Sequence, residues 1–268
     1  MNPSHDRHSQ PPPPRVNGAD SFETSAAMAR LARTAGTTDI VATPHSNVSY
    51  AYDSELVKQR IRELQCAVGE ELRIHRGCDF HLSAHNIQMA VRDTQRFSIN
   101  GLGYLLVEFP EVSALQSIEQ IFETLREAGL TPVITHPERN PYLVADFSRL
   151  VRWVDNGIYL QVTAQSLFGD RLGAETAPWC AKALKMGLVH FVASDAHDAH
   201  FRPPRLDQAR AHLEQQYGDE YAQLLLVTHP GAVIEGGSLV PGRVFPPQKR
   251  ERKWFHFRRR SKGTRDTS

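Results

Sequence analysis

Asp195 and His197 stand two residues apart behind a short apolar segment, and their side chains could together bind a metal ion. The stretch His190–His197 begins with an apolar run that is rich in β-forming residues and too short for a stable helix, which indicates a strand. Alternate residues of an extended backbone project to the same side, so the carboxylate and the imidazole would face one point. A solvated turn after a buried strand would have the same local sequence, and this pair alone leaves both interpretations open.

Three other strand-like segments end in residues of the same kind. They lead to His45, to Glu108 and to His136. An unpaired carboxylate inside an apolar segment is costly, so Glu108 requires a cation, and the neighbouring imidazoles indicate a metal ion. Parallel strands whose carboxyl ends converge on one pocket are typical of barrel-like α/β folds, in which the chemistry lies at that end.

A further segment, Leu72–Leu82, is predicted to form one continuous strand. Alternation along this strand places Asp79 on one face together with His75 and His81, while apolar residues occupy the other face. Asp79 is the candidate ligand of this strand. We interpret His75 and His81 as solvated or hydrogen-bonded histidines rather than ligands.

The length of 268 residues suits one large α/β domain in which helices alternate with parallel strands. Helical spacing predicts one helix capped by Ser54 and another over Ser113–Ala128. The three scattered cysteines form no CxxC pair and are expected to be buried thiols. Without an apolar segment of membrane-spanning length or a hydrophobic signal segment, the sequence predicts a cytoplasmic protein.

Both ends of the chain differ in composition from its centre. Residues 1–19 contain four consecutive prolines and are expected to be disordered, and residues 20–240 are expected to form the folded domain. Residues 241–268 are predicted to be a disordered tail; from residue 246 onward it carries nine Lys or Arg and two acidic residues, a net charge of +7, which leaves −6 on the rest of the chain.

The tail is open to two interpretations. Its basic residues are interleaved with Trp254, Phe255 and Phe257, so it is either simply solvated or attached to an anionic membrane surface. Nucleic-acid binding is not expected, because the acidic remainder of the chain offers no extended basic surface to support it.

Six motifs in the chain form a specific combination. They are TPH at Thr43–His45, RGCDFHL at Arg76–Leu82, LLVEFP at Leu105–Pro110, THPERN at Thr135–Asn140, QVTAQSL at Gln161–Leu167, and FVASDAH with RPP within Phe191–Pro204. Over about residues 16–240, the chain resembles the bacterial capsular-polysaccharide tyrosine-protein phosphatases of the polymerase and histidinol phosphatase (PHP) superfamily.

The resemblance implies an α/β fold, namely a distorted (β/α)7 barrel of PHP type. It implies two or three divalent ions, usually Mn²⁺ with Fe or Zn as alternatives, and hydrolysis of phosphotyrosine on a membrane-associated tyrosine kinase of capsule or exopolysaccharide synthesis and export. Arg139 and Arg202 would bind the phosphate, since planar guanidinium groups match its oxygens. The implied metal ligands are His8, His45, Asp79, Glu108, His136, Asp195 and His197.

The chain departs from the family in its first motif. The family's first strand normally carries Asp-x-His-x-His and is followed by paired aspartates. Here His8 is retained, but Gln10 stands at the second His, and Val16 and Asn17 stand at the aspartates. The first strand is therefore expected to be missing or irregular, and at least one metal position to be weakened, because neutral amides do not replace these ligands.

This departure keeps two alternatives open beside the phosphatase. One is a non-catalytic relative that binds phosphorylated protein. The other is a PHP phosphoesterase that acts on a small phosphate ester. A cysteine-based tyrosine phosphatase is disfavoured, because no Cys is followed by an anion-binding loop that ends in Arg.

Overall fold

The structure is a computed structural model that describes residues 21–47, 50–109, 117–169 and 175–247. Its strands are β1 (Asp39–Ala42), β2 (His45–Ser46), β3 (Arg73–Arg76), β4 (Asp79–His81), β5 (Tyr104–Glu108), β6 (Thr131–Thr135), β7 (Tyr159–Thr163) and β8 (Phe191–Ala193). Its α-helices are α1 (Phe22–Thr34), α2 (Ser54–Val68), α3 (Ala84–Arg92), α4 (Thr94–Phe97), α5 (Ile118–Glu127), α6 (Pro141–Val144), α7 (Phe147–Asp155), α8 (Thr176–Lys185), α9 (Asp207–Tyr217), α10 (Asp219–Gln223) and α11 (His229–Ile234). Single 3-10 turns follow α4, β6 and β7, and a π-helical turn joins α10 to α11.

All strand pairs in the described residues are parallel. Six strands form one sheet in the order β2-β4-β5-β6-β7-β8, and β1 pairs with β3 in a second, two-stranded sheet. The predicted α/β fold with parallel strands is therefore confirmed. No closed barrel is found within the described ranges, and residues 6–10, where the first strand is expected to be missing or irregular, lie outside them. No helix in those ranges is long and apolar enough to span a bilayer.

The predicted continuous strand over residues 72–82 was wrong, because it is broken into β3 and β4. The neighbouring strand is broken at the same level by Pro44, which has no N–H to donate. The two strands approach closely there, and a Cβ on Gly77 would lie 2.7 Å from Val41 Cγ1. Pairing then resumes, with the Asp79 N–H donating to the Pro44 carbonyl at 3.1 Å, and it places Asp79 opposite His45.

The two faces of the large sheet pack differently. On β5, Leu105 and Val107 are fully buried in the main core, which includes apolar residues of the surrounding helices. Tyr104 and Leu106 belong to a second apolar cluster with residues of β6, β7 and β8. Glu108 continues the alternation of this second face at the carboxyl end of the strand. An apolar layer therefore lies beneath the polar ends of the strands.

Several local predictions needed correction. Asp53, not Ser54, caps α2 by accepting the N–H groups of Glu55 and Leu56. Helix α5 begins at Ile118 in the described chain, and residues 113–116 of the predicted helix lie outside it. Of the cysteines, Cys66 is exposed, because it lies on the outer side of an amphipathic helix, while the other two are buried as predicted.

The segment 237–247 contacts several strands near their amino-terminal ends. Tyr159 donates its hydroxyl hydrogen to the carbonyl of Leu239 at 3.1 Å. His190 is fully buried and donates from Nε2 to the carbonyl of Gly242 at 2.9 Å. These bonds continue past the boundary predicted at residue 240, and the tail beyond residue 247 lies outside the described residues.

His190 is expected to make the folded state sensitive to acid. Burial, together with the nearby His229, lowers the pKa of His190 to about 4, although its hydrogen bond to Gly242 acts in the opposite direction. Its stabilising contribution is complete above the unfolded pKa of about 6.5 and is lost as the pH falls towards 4. The free energy of unfolding should fall by about 3 kcal/mol over this range from His190 alone.

Denaturant titrations at pH 7 and pH 4 measure this effect. His190→Asn should reduce the dependence on pH, while His200→Asn at an exposed position should leave it unchanged. An unaltered pH dependence in His190→Asn would show that other groups control acid unfolding.

Candidate metal centre

Three neighbouring strands bring His45, Asp79 and Glu108 together: His45 and Asp79 are the first residues of β2 and β4, and Glu108 is the last residue of β5. Each residue offers one ligand atom, and these atoms lie within 4.8 Å of one another. His45 donates from Nδ1 to Glu108 Oε2 at 3.1 Å, and the same nitrogen lies 3.5 Å from Asp79 Oδ2. Asp79 is buried, and the other two residues are partly buried. This arrangement follows from the strand order β2-β4-β5.

The charges of this cluster are unbalanced. Burial and the nearby Glu108 raise the pKa of Asp79 to about 7. Burial acts to raise the pKa of Glu108, but the hydrogen bond from His45 and the charges of His45, His136 and His81 together outweigh it and lower the pKa. The same hydrogen bond raises the pKa of His45. Two acids therefore compete for one imidazole in a confined space, and a divalent cation would favour the charged form of both acids.

The donor set fits a divalent transition metal. It combines imidazole nitrogen with carboxylate oxygen and contains no thiolate, a combination that suits manganese, iron or zinc. Among the described residues, no other group of His, Cys, Asp and Glu is drawn together in this way. The residues present therefore fit the metal that the sequence predicts.

His136 lies beside the cluster, with its Nε2 atom 3.6 Å from Glu108 Oε1. Its backbone is left-handed, with φ at 33°, and Asp195 has φ at 49°. Such conformations cost free energy in residues other than glycine, on the order of 1–3 kcal/mol each, and are often found at functional sites. His136 directly follows β6, and Asp195 lies two residues after β8. The turn at each position sets the direction of the side chain.

Asp195 lies between two arginines. Its Oδ2 atom is 2.6 Å from Arg139 Nη1 and also accepts a hydrogen bond from Arg202 Nη2. His197 donates from Nδ1 to the Asp195 carbonyl at 3.0 Å, and its ring centroid lies 6.3 Å from that of His45. Burial, followed by the charge of Arg202, lowers the pKa of His197, so its imidazole tends to be neutral.

The structure places the predicted site residues that it describes in two groups. His45, Asp79, Glu108 and His136 form the first. Arg139, Asp195, His197 and Arg202 form the second, and the rings of His45 and His197 are the contact between the two groups. Only His45, Asp79 and Glu108 lie within 4.8 Å of one another as a possible ligand set among the described residues.

His8 lies outside the described residues. His81, interpreted from the sequence as a non-ligand, faces Glu108 across the β4-β5 register, and burial lowers its pKa. His75 instead pairs with Asp39 at 2.8 Å, as expected of a hydrogen-bonded histidine.

Three buried polar residues around the site were missed by the sequence analysis. Thr135 Oγ1 lies 3.4 Å from Asp79 Oδ1, and Thr163 Oγ1 accepts a hydrogen bond from Arg139. Glu138 accepts from the Thr163 N–H. Thr135 and Thr163 could have been found from the sequence because they are the last residues of predicted strands. Glu138 could have been found because it directly precedes Arg139 in the THPERN motif.

The fold and the cluster define an α/β protein with a candidate metal centre beside paired arginines at the ends of parallel strands. Residues 5–235 match the family described as capsular polysaccharide synthesis, CpsB/CapC. The chain belongs to this family.

Two curated relatives and one solved structure are similar to most of the chain. The tyrosine-protein phosphatase YwqE of Bacillus subtilis is 33% identical over 226 residues, which cover 80% of this chain and 85% of YwqE. The tyrosine-protein phosphatase CpsB of Streptococcus pneumoniae is 26% identical, with 81% of this chain and 93% of CpsB covered. A crystal structure from work on these two proteins, described there as unique metal-dependent tyrosine phosphatases, matches with a TM-score of 0.78 and 28% identity over 88% of this chain and 96% of that one.

Proposed function

We propose that this protein is a metal-dependent protein-tyrosine phosphatase, a phosphoric monoester hydrolase. The observation that carries the proposal is the placement of an imidazole and carboxylate cluster next to two arginines at one end of a parallel sheet. The names of its relatives support the same activity and its dependence on metal.

The proposal assigns roles to the residues gathered at the site. Two or three metal ions, most suitably Mn²⁺, would be bound at the site. Their ligands would be His8, His45, Asp79, Glu108, His136, Asp195 and His197. When bound, the ions would lower the pKa of an attacking water and stabilise negative charge on the phosphate oxygens. Arg139 and Arg202 would bind the phosphate through planar guanidinium groups that match the arrangement of its oxygens.

The proposed substrate is phosphotyrosine on a bacterial tyrosine kinase of capsule or exopolysaccharide synthesis. The family description and the relatives' names support this choice. We also propose that the open sheet is part of a PHP-type seven-stranded barrel whose first strand, expected at residues 6–10, is missing or irregular. Our proposed division is one folded domain, residues 20–240, with a terminal extension on either side.

Turnover of a phosphotyrosine peptide should depend on added metal. Protein treated with a chelator and dialysed should lose activity, and Mn²⁺ should restore it, because the site residues supply only the ligands. Release of phosphate from the peptide measures the effect, with His136→Ala as the control for a contaminating phosphatase. Activity that survives in His136→Ala at the level of the unaltered protein would contradict the proposal.

The non-catalytic alternative is favoured by one sequence observation, the presence of Gln10, Val16 and Asn17 where the family has ligand residues. It predicts metal and phosphopeptide binding without turnover above the His136→Ala control. A small-molecule phosphoesterase would instead hydrolyse a simple alkyl phosphate ester faster than the peptide. The same assay therefore separates the three functions.

We also propose that the basic tail attaches the protein to anionic membranes. Each basic residue near such a surface contributes on the order of 1 kcal/mol, and the three aromatic residues would lie at the interface. Removal of residues 246–268 should reduce co-sedimentation with phosphatidylserine vesicles, while hydrolysis of a soluble phosphotyrosine peptide stays unchanged. Equal sedimentation of the full and shortened chains would refute the attachment.

A further inference from the structure

Glu138 is a buried carboxylate that has no direct place among the metal ligands. It lies in the 3-10 turn that follows β6, and its side chain points to the end of β7. Its Oε1 atom accepts a hydrogen bond from the Thr163 N–H at 2.9 Å and another from Ser166 Oγ at 2.7 Å. With only 3% of its surface exposed, Glu138 connects the turns that follow two neighbouring strands.

Thr163 carries this connection to the phosphate-binding side. Its backbone is bonded to Glu138, and its Oγ1 atom accepts a hydrogen bond from Arg139 Nη2 at 3.0 Å. The other terminal nitrogen of Arg139 lies 2.6 Å from Asp195. The guanidinium group is therefore bonded on two sides, by a neutral hydroxyl and by a carboxylate.

The contacts of Arg139 with Asp195 and with Thr163 have different effects once phosphate binds. Asp195 carries charge that a metal ion and the arginines would share, whereas Thr163 is neutral and 1% exposed. Its hydroxyl can hold the guanidinium plane without competing for the positive charge. Arginine has a long side chain with many rotamers, and ordering it before the ligand binds reduces the cost of binding.

We propose that Thr163, held by Glu138, is a positioning residue that orients Arg139 for the phosphate group. This inference rests on the proposed function, because it assigns phosphate binding to Arg139. The turns after β6 and β7 then act as one unit. The buried carboxylate of Glu138 fixes the backbone of Thr163, and Thr163 contacts Arg139.

A pair of substitutions at Thr163 tests this role. Thr163→Val keeps the shape and removes the hydroxyl, and Thr163→Ser keeps the hydroxyl and removes the methyl group. Thr131→Val, the same exchange at the amino-terminal end of β6, is the matched control. The probe is inorganic phosphate, titrated by calorimetry into the full chain loaded with Mn²⁺, and thermal unfolding is recorded for each variant.

Thr163→Val should bind phosphate about tenfold more weakly than the unaltered protein, as expected when a hydrogen bond to a charged group is lost. Thr163→Ser should bind within about twofold, and Thr131→Val should be unchanged. The Michaelis constant for a phosphotyrosine peptide should rise in parallel in Thr163→Val. A merely structural role would instead lower the unfolding temperature in both Thr163 variants and leave the phosphate affinity of the folded fraction unaltered.

Unchanged phosphate affinity in folded Thr163→Val would overturn the inference. So would equal weakening in Thr163→Ser, because the hydroxyl would then not be the group that matters. Failure of the proposed function looks different: the unaltered protein would hydrolyse no phosphotyrosine, while the tenfold difference in phosphate affinity between Thr163→Val and Thr163→Ser would remain.

Discussion

Replacing Glu108 with Gln is expected to lower the turnover of a phosphotyrosine peptide by about 1000-fold, the largest effect we predict. Glu108 contacts both His45 and His136, so it is the central acid of the candidate metal centre. A neutral amide keeps the shape but loses the charge that a divalent ion requires. Loss of several kcal/mol of transition-state stabilisation corresponds to a rate change of this size.

The metal content of purified Glu108→Gln shows whether its activity is lost because the ion is lost or because the protein is misfolded. Glu108→Gln should contain less Mn²⁺ than the unaltered protein after dialysis against the same buffer. Glu123→Gln, on the exposed side of α5, is the matched control and should retain both metal and turnover. Full metal content together with full turnover in Glu108→Gln would remove Glu108 from the proposed ligand set.

Replacing Arg202 with Ala is expected to lower kcat/KM by on the order of 100-fold to 1000-fold, the range found when one charge-stabilising donor is removed from an active site. Arg202 shares Asp195 with Arg139, so the two guanidinium groups form one positively charged pair at the site. Metal content should be preserved, because an arginine contributes no ligand.

Arg205→Ala is the natural control for this substitution. Arg205 lies three residues further along the chain and pairs with Asp207 at an exposed position. Surface ion pairs of this kind contribute little, so the variant should keep its activity. Equal losses in Arg202→Ala and Arg205→Ala would indicate a disturbed loop rather than loss of a phosphate-binding group.

The strand ends were predictable because two signals coincide there. An apolar segment that ends in a charged or imidazole residue indicates both a buried strand and a polar site, as the segments before Glu108 and His136 show. Parallel pairing brings Glu108, at the end of β5, beside His45 and Asp79 at the beginnings of β2 and β4, with ligand atoms within 4.8 Å of one another. The α/β class follows from the same alternation of strands and helices.

Other features depend on contacts that a single sequence does not reveal. The break between β3 and β4 arises where Gly77 packs against Val41, a residue far away in the sequence. Asp53 rather than Ser54 caps α2, because both residues are good caps and local sequence does not choose between them. The bond between Glu138 and the Thr163 N–H likewise joins two turns that only the folded sheet brings together.

The shared position of Asp195 shows a further limit. The sequence predicts Asp195 as a ligand and the two arginines as phosphate-binding groups, but it does not indicate that one carboxylate oxygen would contact both guanidinium groups. This contact depends on the turn conformation at Asp195, where the backbone is left-handed. Spacing alone does not predict such a conformation in a residue other than glycine.

Anomalous diffraction from crystals grown with MnCl₂, collected around the manganese absorption edge, tests the central claim most directly. We expect at least one anomalous peak bonded to Glu108 and His45, with further ligands from Asp79, His136 or Asp195. A structure of active protein without such a peak, or with manganese bound only elsewhere, would contradict it.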